Sequence, residues 1–168
     1  MTSTIKVDTI QTAAGGTPTA ADLGLNVTGS VLQVVQGSTA TQAGMGGTSY
    51  ADTGLTASIT PTSASSKILV LINQYFTFRT TTTAERQAYY RILRDGSQLV
   101  ENIYNKYQTA NSSEDREGKV ASFNYLDSPN TTSSVTYKTQ HKLNNSAADL
   151  YAQQDGTTSF ITLMEIAG

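Results

Sequence analysis

The side chains with the makings of catalysis are a single histidine, His141, and a scatter of carboxylates. A Ser-His-Asp hydrolase must use His141, which stands in an alternating segment on the same face as Val135, Tyr137 and Thr139. No Gly-x-Ser-x-Gly elbow is present to expose a nucleophile, so His141 reads as structural or simply exposed. A glycosidase needs two facing carboxylates. The acids closest in sequence, Glu114, Asp115 and Glu117, stand beside Arg116 and Lys119 and read as a solvated loop. Glu101, Asp127 and Asp149 come from distant segments, and the sequence leaves their convergence open. Gly15-Gly16 and Gly44-Met45-Gly46-Gly47 lack the Gly-Lys-Ser/Thr ending that cradles phosphate. No calcium-loop spacing of Asp and Asn with a closing Glu occurs. With no cysteine, disulfides, zinc thiolates and a Cys nucleophile are excluded. The expectation is no catalytic residue, no metal site and no cofactor, in a protein that assembles or binds.

The elements that would position these residues are strands. From about Leu55 to Ile166 the chain reads as one strand after another. Leu55-Thr56-Ala57-Ser58-Ile59-Thr60 alternates at every step, and Pro61 ends it because proline has no amide for a ladder. Lys67 to Phe78 begins apolar on both faces and then alternates, which predicts a central strand covered on both sides at its start. Tyr89–Arg94, Asp95-Gly96 and Gln98–Tyr104 spell a hairpin, since both turn positions want positive φ. Loops are expected at 37–50, 80–87 and 110–118, and further strands at 120–126, 135–142, 150–153 and 159–166. About eight strands at this spacing predict an all-β fold, a jelly-roll-like antiparallel β-sandwich.

Residues 1–30 differ. Ile5, Val7, Ile10, Leu23 and Leu25 need burial but are too few for a core, so they read as an extended arm laid against another surface. The expected organisation is an arm at 1–30, a connecting strand and Gly-rich loop at 31–54, and a sandwich at 55–168.

Composition narrows the partners. Apolar residues make up 38% of the 168, so part of the burial is expected between chains. Charged residues are 14%, against about 25% in ordinary globular proteins. The net charge of −2 argues against nucleic acid, which demands clustered Lys and Arg. The longest apolar run, Ile68–Ile72, is far short of a membrane span. The first residues show no basic start followed by an apolar stretch, which predicts synthesis in a cytoplasm without export. Nine tyrosines against no tryptophan supply bodies for sheet packing and, as a set, surface for an interface.

Several phrases in order carry a resemblance: Ser3-Thr4-Ile5-Lys6-Val7-Asp8-Thr9-Ile10, Gly29-Ser30-Val31-Leu32-Gln33-Val34-Val35, Ser65-Ser66-Lys67-Ile68-Leu69-Val70, Tyr125-Leu126-Asp127-Ser128-Pro129 and Ile161-Thr162-Leu163-Met164-Glu165-Ile166. The chain resembles the tail-fibre-like and virion structural proteins of tailed bacteriophages, especially those of aquatic bacteria and cyanobacteria. That resemblance implies a non-enzymatic homotrimer with a β-rich outer domain and an N-terminal attachment region. The implied partners are copies of itself and a major capsid or tail protein, in a virion assembled in the host cytoplasm. A shaft repeat is missing from the 168 residues, so a knob, head fibre or capsid decoration (cement) protein is expected rather than a full-length fibre. Ile5, Val7, Ile10, Leu23 and Leu25 are then the docking or trimer contacts. The alternative is a receptor-binding module for host-surface glycan, with Tyr104, Tyr107, Asn111, Asp127 and Asn130 facing the ligand.

Overall fold

The computed structural model describes residues 9–18, 23, 28–45, 47–80, 85–108, 115–144 and 149–168. Ten strands follow in chain order: β1 (Val31–Thr39), β2 (Ala43–Met45), β3 (Ala51–Ile59), β4 (Lys67–Thr80), β5 (Glu85–Arg94), β6 (Ser97–Gln108), β7 (Asp115–Asp127), β8 (Val135–Leu143), β9 (Asp149–Ala152) and β10 (Ser159–Ile166). Every pairing between them is antiparallel.

A six-stranded sheet runs β1-β10-β4, with β7 on the far side of β4. Where β10 leaves β4, β9 takes its place over Phe76–Arg79, with β2 outside it. The four-stranded sheet runs β3-β8-β5-β6. Setting aside the short strands β2 and β9, the remaining eight stand in the orders first-eighth-third-sixth and second-seventh-fourth-fifth. That is the double Greek key of a jelly roll.

Alternation writes the core. Ile68, Val70, Ile72, Gln74, Phe76 and Phe78 of β4 all point between the sheets and are buried. They meet two apolar clusters. One gathers Leu55, Ile59, Ile92, Val135, Tyr137, Ile161 and Leu163. The other gathers Ala88, Tyr90, Leu143, Leu150 and Ala152 around the two phenylalanines. A polar seam lies at Gln74. The Thr53 and Thr139 hydroxyls stand 2.5 Å apart, and Thr139 donates to Gln74 Oε1 at 2.9 Å. With the Gln153 amide turned to satisfy its neighbours, its oxygen accepts from Gln74 Nε2 at 2.8 Å and its nitrogen donates to the Thr53 carbonyl at 3.0 Å. Both sheets are thus tied in register through buried groups that keep their partners.

Two sides of the sandwich differ. Along one, β1 runs so close to β3 that any side chain at Gly37 would collide with the Thr56 carbonyl. Along the other stand β6 and β7; β6 pairs only with β5 and β7 only with β4 among the described residues, and β1 and β3 are likewise edge strands. At one end of the barrel, the chain enters beside its own terminus: Gly29 donates to the Ala167 carbonyl and Ala167 to the Ser30 carbonyl, each at 2.8 Å. The β5–β6 turn lies at that same end, with Asp95 at φ 48° and Gly96 at φ 85°. Asp95 is stitched to Thr136 by backbone and side-chain bonds of 2.9 Å.

Several expectations change. The sandwich starts at Val31 rather than 55, because β1 is paired along its length with β10 and belongs to the sheet. The expected loop at 37–50 contains the end of β1 and all of β2, since partner strands override the Gly-rich composition. β5 begins at Glu85 and β7 at Asp115, each continuing a ladder into an expected loop. β4 is covered on one face only: Leu69 is half-buried and Leu71 is 37% exposed.

Candidate interaction surface

His141 is fully buried on the inner face of β8, between the rings of Phe76 and Tyr90 at 5.7 and 6.4 Å. Neither ring nitrogen has a hydrogen-bond partner. Burial alone pulls its pKa down from 6.5 to about 4, so it stays neutral. No serine hydroxyl reaches it. The carboxylates do not converge either. Glu101 lies opposite Arg91 in the β5–β6 ladder, Asp127 points between the sheets, and Asp149 lies opposite Arg79 in the β4–β9 ladder. Glu117 is engaged by Lys119 at 2.6 Å. Among the described residues no three His, Asp or Glu side chains gather as metal ligands.

The expected ligand-facing residues separate. Asp127 is a correction: it is 5% exposed, accepting from Arg94 Nη1 at 2.6 Å and from Tyr137 Oη at 2.7 Å. Its carboxylate is spent inside the fold, and burial, reinforced by that contact, holds the Tyr137 hydroxyl well above its usual pKa. Asn130 is exposed, at φ 54°. Tyr104 and Tyr107 fall on β6, and their side chains lie outside the described residues, as does Asn111. Of the expected docking residues, Ile10 and Leu23 are exposed, at 52% and 43%, while Ile5, Val7 and Leu25 lie outside the description.

What stands out lies elsewhere, on the outer face of the six-stranded sheet. The register sets Val34, Met164, Leu69 and Leu126 in one row across β1, β10, β4 and β7. The next row is Gln36, Thr162, Leu71 and Asn124, and the next Ser38, Phe160, Asn73 and Ser122. None of these twelve residues is charged. Of nine exposed large apolar residues in the described structure, six belong to this face: Val31, Val34, Leu71, Val120, Leu126 and Phe160. A shallow depression of about 400 Å³ crosses it, walled by Leu71, Phe160, Asn73 and Asn124.

The outer face of the four-stranded sheet is the opposite in character. Asp52 accepts from Lys138 Nζ at 2.9 Å and from Gln140 Nε2 at 2.6 Å. Burial pushes the Asp52 carboxyl up, and these two bonds outweigh it and hold it below the usual range. Arg91 binds Gln140 through Nε at 2.8 Å, while its guanidinium lies 3.8 Å from the Tyr50 ring centre. Lys142 sits over Tyr50 and Tyr89. This is a face finished for water. The two outer faces thus differ: one is charged, and the other sets Val34, Leu69, Leu71, Leu126, Phe160 and Met164 among Gln36, Ser38, Asn73, Ser122, Asn124 and Thr162. The sequence carried a signal for it: Leu69, Leu71, Phe160, Met164 and Ile166 form a second apolar series, out of phase with the core series.

No family model matches the chain, and no curated protein matches it. Solved structures of the infectious bursal disease virus capsid protein VP2 align weakly. The VP2 subviral particle is 11% identical with a TM-score of 0.38, over 83% of this chain and 38% of that one. The Gt strain structure is 12% identical with a TM-score of 0.36, over 80% and 38%. The chain therefore spans under two-fifths of the length of these proteins. At such scores the likeness is too slight to transfer a function.

Proposed function

We propose that the chain is a non-enzymatic structural protein of a bacteriophage virion, a homotrimeric surface protein of the decoration, head-fibre or short-knob kind. The observation that carries this reading is the outer face of the six-stranded sheet, uncharged over its twelve central positions and exposing Val34, Leu71, Leu126 and Phe160, beside a four-stranded sheet whose own outer face is charged and solvated. Such an asymmetry fits a subunit that lives in an assembly. The ordered phrases shared with phage tail-fibre-like proteins supply the particle, and the exposed Ile10 and Leu23 fit an N-terminal segment whose apolar groups are covered elsewhere. Docking on a repeating shell lets many weak contacts add through avidity.

The experiment is deletion of residues 1–28, upstream of β1. The truncated chain is expected to fold, with an unchanged β-sheet circular dichroism spectrum, and to be missing from purified particles by immunoblot. Normal incorporation would refute the anchor. The glycan-reading alternative has lost one of its five residues, since Asp127 is turned inward.

A further inference from the structure

We infer that the outer face of the six-stranded sheet is a binding track for a chain of neutral sugars, laid along β4 from Leu71 to Thr77. The track shares no residue with the glycan-facing set read from the sequence, and it stands whether the protein is a trimer or a monomer.

The floor of the track is built for rings that lie down. Tyr75 belongs to the outer phase of β4, and a Cβ on Gly118 of β7 would collide with its Oη. Tyr151 of β9 stands opposite Thr77 on one side and Gly44 on the other, and a Cβ on Gly44 would meet its ring at 2.9 Å. Each ring therefore leans across a neighbouring strand, and glycine leaves the room beneath it. Thr77, between Tyr151 and Gly118 on this same face, is accordingly only 4% exposed. Phe160, opposite Asn73, sets a third and exposed ring nearer the Leu71 end. From Leu71 to Thr77 the track runs about 20 Å, at about 3.4 Å per residue.

Beside the rings stand polar groups that both donate and accept. Asn73 and Asn124 are exposed, and no hydrogen bond within the described structure engages their amides. Each amide offers donors and an acceptor. Gln36 Nε2 donates to Thr162 Oγ1 at 3.0 Å, which leaves the Thr162 proton and the Gln36 oxygen for a ligand in the same depression.

A pyranose matches this set. Its C–H faces are apolar and suit aromatic rings, and its hydroxyls donate and accept as the amides do. Charge and topology decide against the rivals. Leu71, Asn73, Tyr75 and Thr77 and their partners on β7 include no charged residue, and Arg79, Arg116 and Asp149 come only past Thr77. A carboxylate or phosphate ligand would lose its water there without gaining a partner. An added peptide strand needs a free edge, whereas β10 and β4 are paired on both sides. The all-apolar row of Val34, Met164, Leu69 and Leu126 lies nearer the pole of Gly29, so a subunit anchored at that pole keeps the track beyond it open.

The test is isothermal titration calorimetry of the full-length protein with tetrasaccharides of glucose, mannose, galactose and N-acetylglucosamine, and with a sialylated oligosaccharide as the acidic comparison. At least one neutral probe is expected to bind with a dissociation constant on the order of 1 mM or tighter, and the sialylated one more weakly. Phe160→Ala and Tyr151→Ala are each expected to weaken that binding about ten-fold, and Ser58→Ala on the four-stranded outer face to leave it unchanged. The track is refuted if no neutral probe binds at about 10 mM, if the acidic probe binds best, or if Phe160→Ala binds as wild type does. Amide shift mapping on wild type covers a variant that does not fold. Shifts are expected at Leu71, Asn73, Asn124 and Phe160; shifts at Asn130 instead would move the sugar to the sequence-based set and overturn the inference. A chain that binds none of the sugars, yet joins particles through residues 1–28, would sink the track and leave the virion reading standing.

Discussion

The Tyr137 hydroxyl donates to Oδ2 of Asp127 across 2.7 Å of solvent-free interior, joining β8 of one sheet to the last residue of β7 in the other. Arg94, at the end of β5, donates to the same oxygen at 2.6 Å. One carboxylate oxygen thus clamps three strands at the end where the chain enters the sandwich.

Removing that carboxylate strands two donors. Asp127→Ala is expected to lower unfolding free energy by about 3 kcal/mol, as for other partly buried pairs that lose one partner. Tyr137→Phe loses a single hydrogen bond to a charged acceptor and is expected to cost about 2 kcal/mol. Urea denaturation of both variants checks this, and a larger loss for Tyr137→Phe than for Asp127→Ala would contradict the clamp.

Acid should loosen the protein in two stages. His141 is neutral in the fold with a pKa of about 4, against 6.5 when exposed. The unfolded chain takes up the proton first, so the stability is complete above pH 6.5 and declines as the pH falls toward 4. The full loss is about 3 kcal/mol, at roughly 1.4 kcal/mol per decade of proton affinity. Glu165 acts below that. Burial pushes its carboxyl up, but hydrogen bonds from Gln33 at 2.6 Å and from the Thr62 amide and hydroxyl, each at 2.7 Å, outweigh it and hold the pKa below 4.5. Its contribution is present above 4.5 and fades as the pH drops through the lower folded value. Urea midpoints between pH 7 and 3 should show both limbs in wild type. His141→Phe should keep only the lower one; an unaltered upper limb would exonerate His141.

Gly37 is where β1 passes the Thr56 carbonyl, with Ile161 also in contact range. Gly37→Val should force the two strands apart and cost about 3 kcal/mol, at the upper end for overpacked sites. A thermal melt checks this. An unshifted midpoint would mean that the β1–β3 side is looser than its geometry.

Much of the fold was legible because alternation is a local signal. Leu55–Ile59 and Val135–Leu143 declare their buried face residue by residue, and Asp95-Gly96 declares its turn through φ. The jelly-roll order was reachable only as a class, since nothing in β10 names β1 and β4 as its neighbours. Likewise Gly37–Thr39 reads as loop until Ser159–Ile161 lies opposite. Asp127 was misjudged for the same reason. A carboxylate before Ser128-Pro129-Asn130 reads as exposed, and its burial depends on Arg94 and Tyr137 from two other strands. The surface was missed because apolar residues of both phases in Ile68–Ile72 read as burial on both faces, whereas one phase is core and the other lies on the outer face of the sheet.

The pairing of Gly29 with Ala167 fixes an orientation. Gly29, the Asp95-Gly96 turn and Asn130 all stand at one pole of the sandwich. Under the proposed anchorage by residues 1–28, the opposite pole, where β4, β6 and β8 finish at Thr80, Gln108 and Leu143, would face outward. On that proposal, a label at the Asp95-Gly96 turn would lie beside the anchor, and one at the far pole would be exposed.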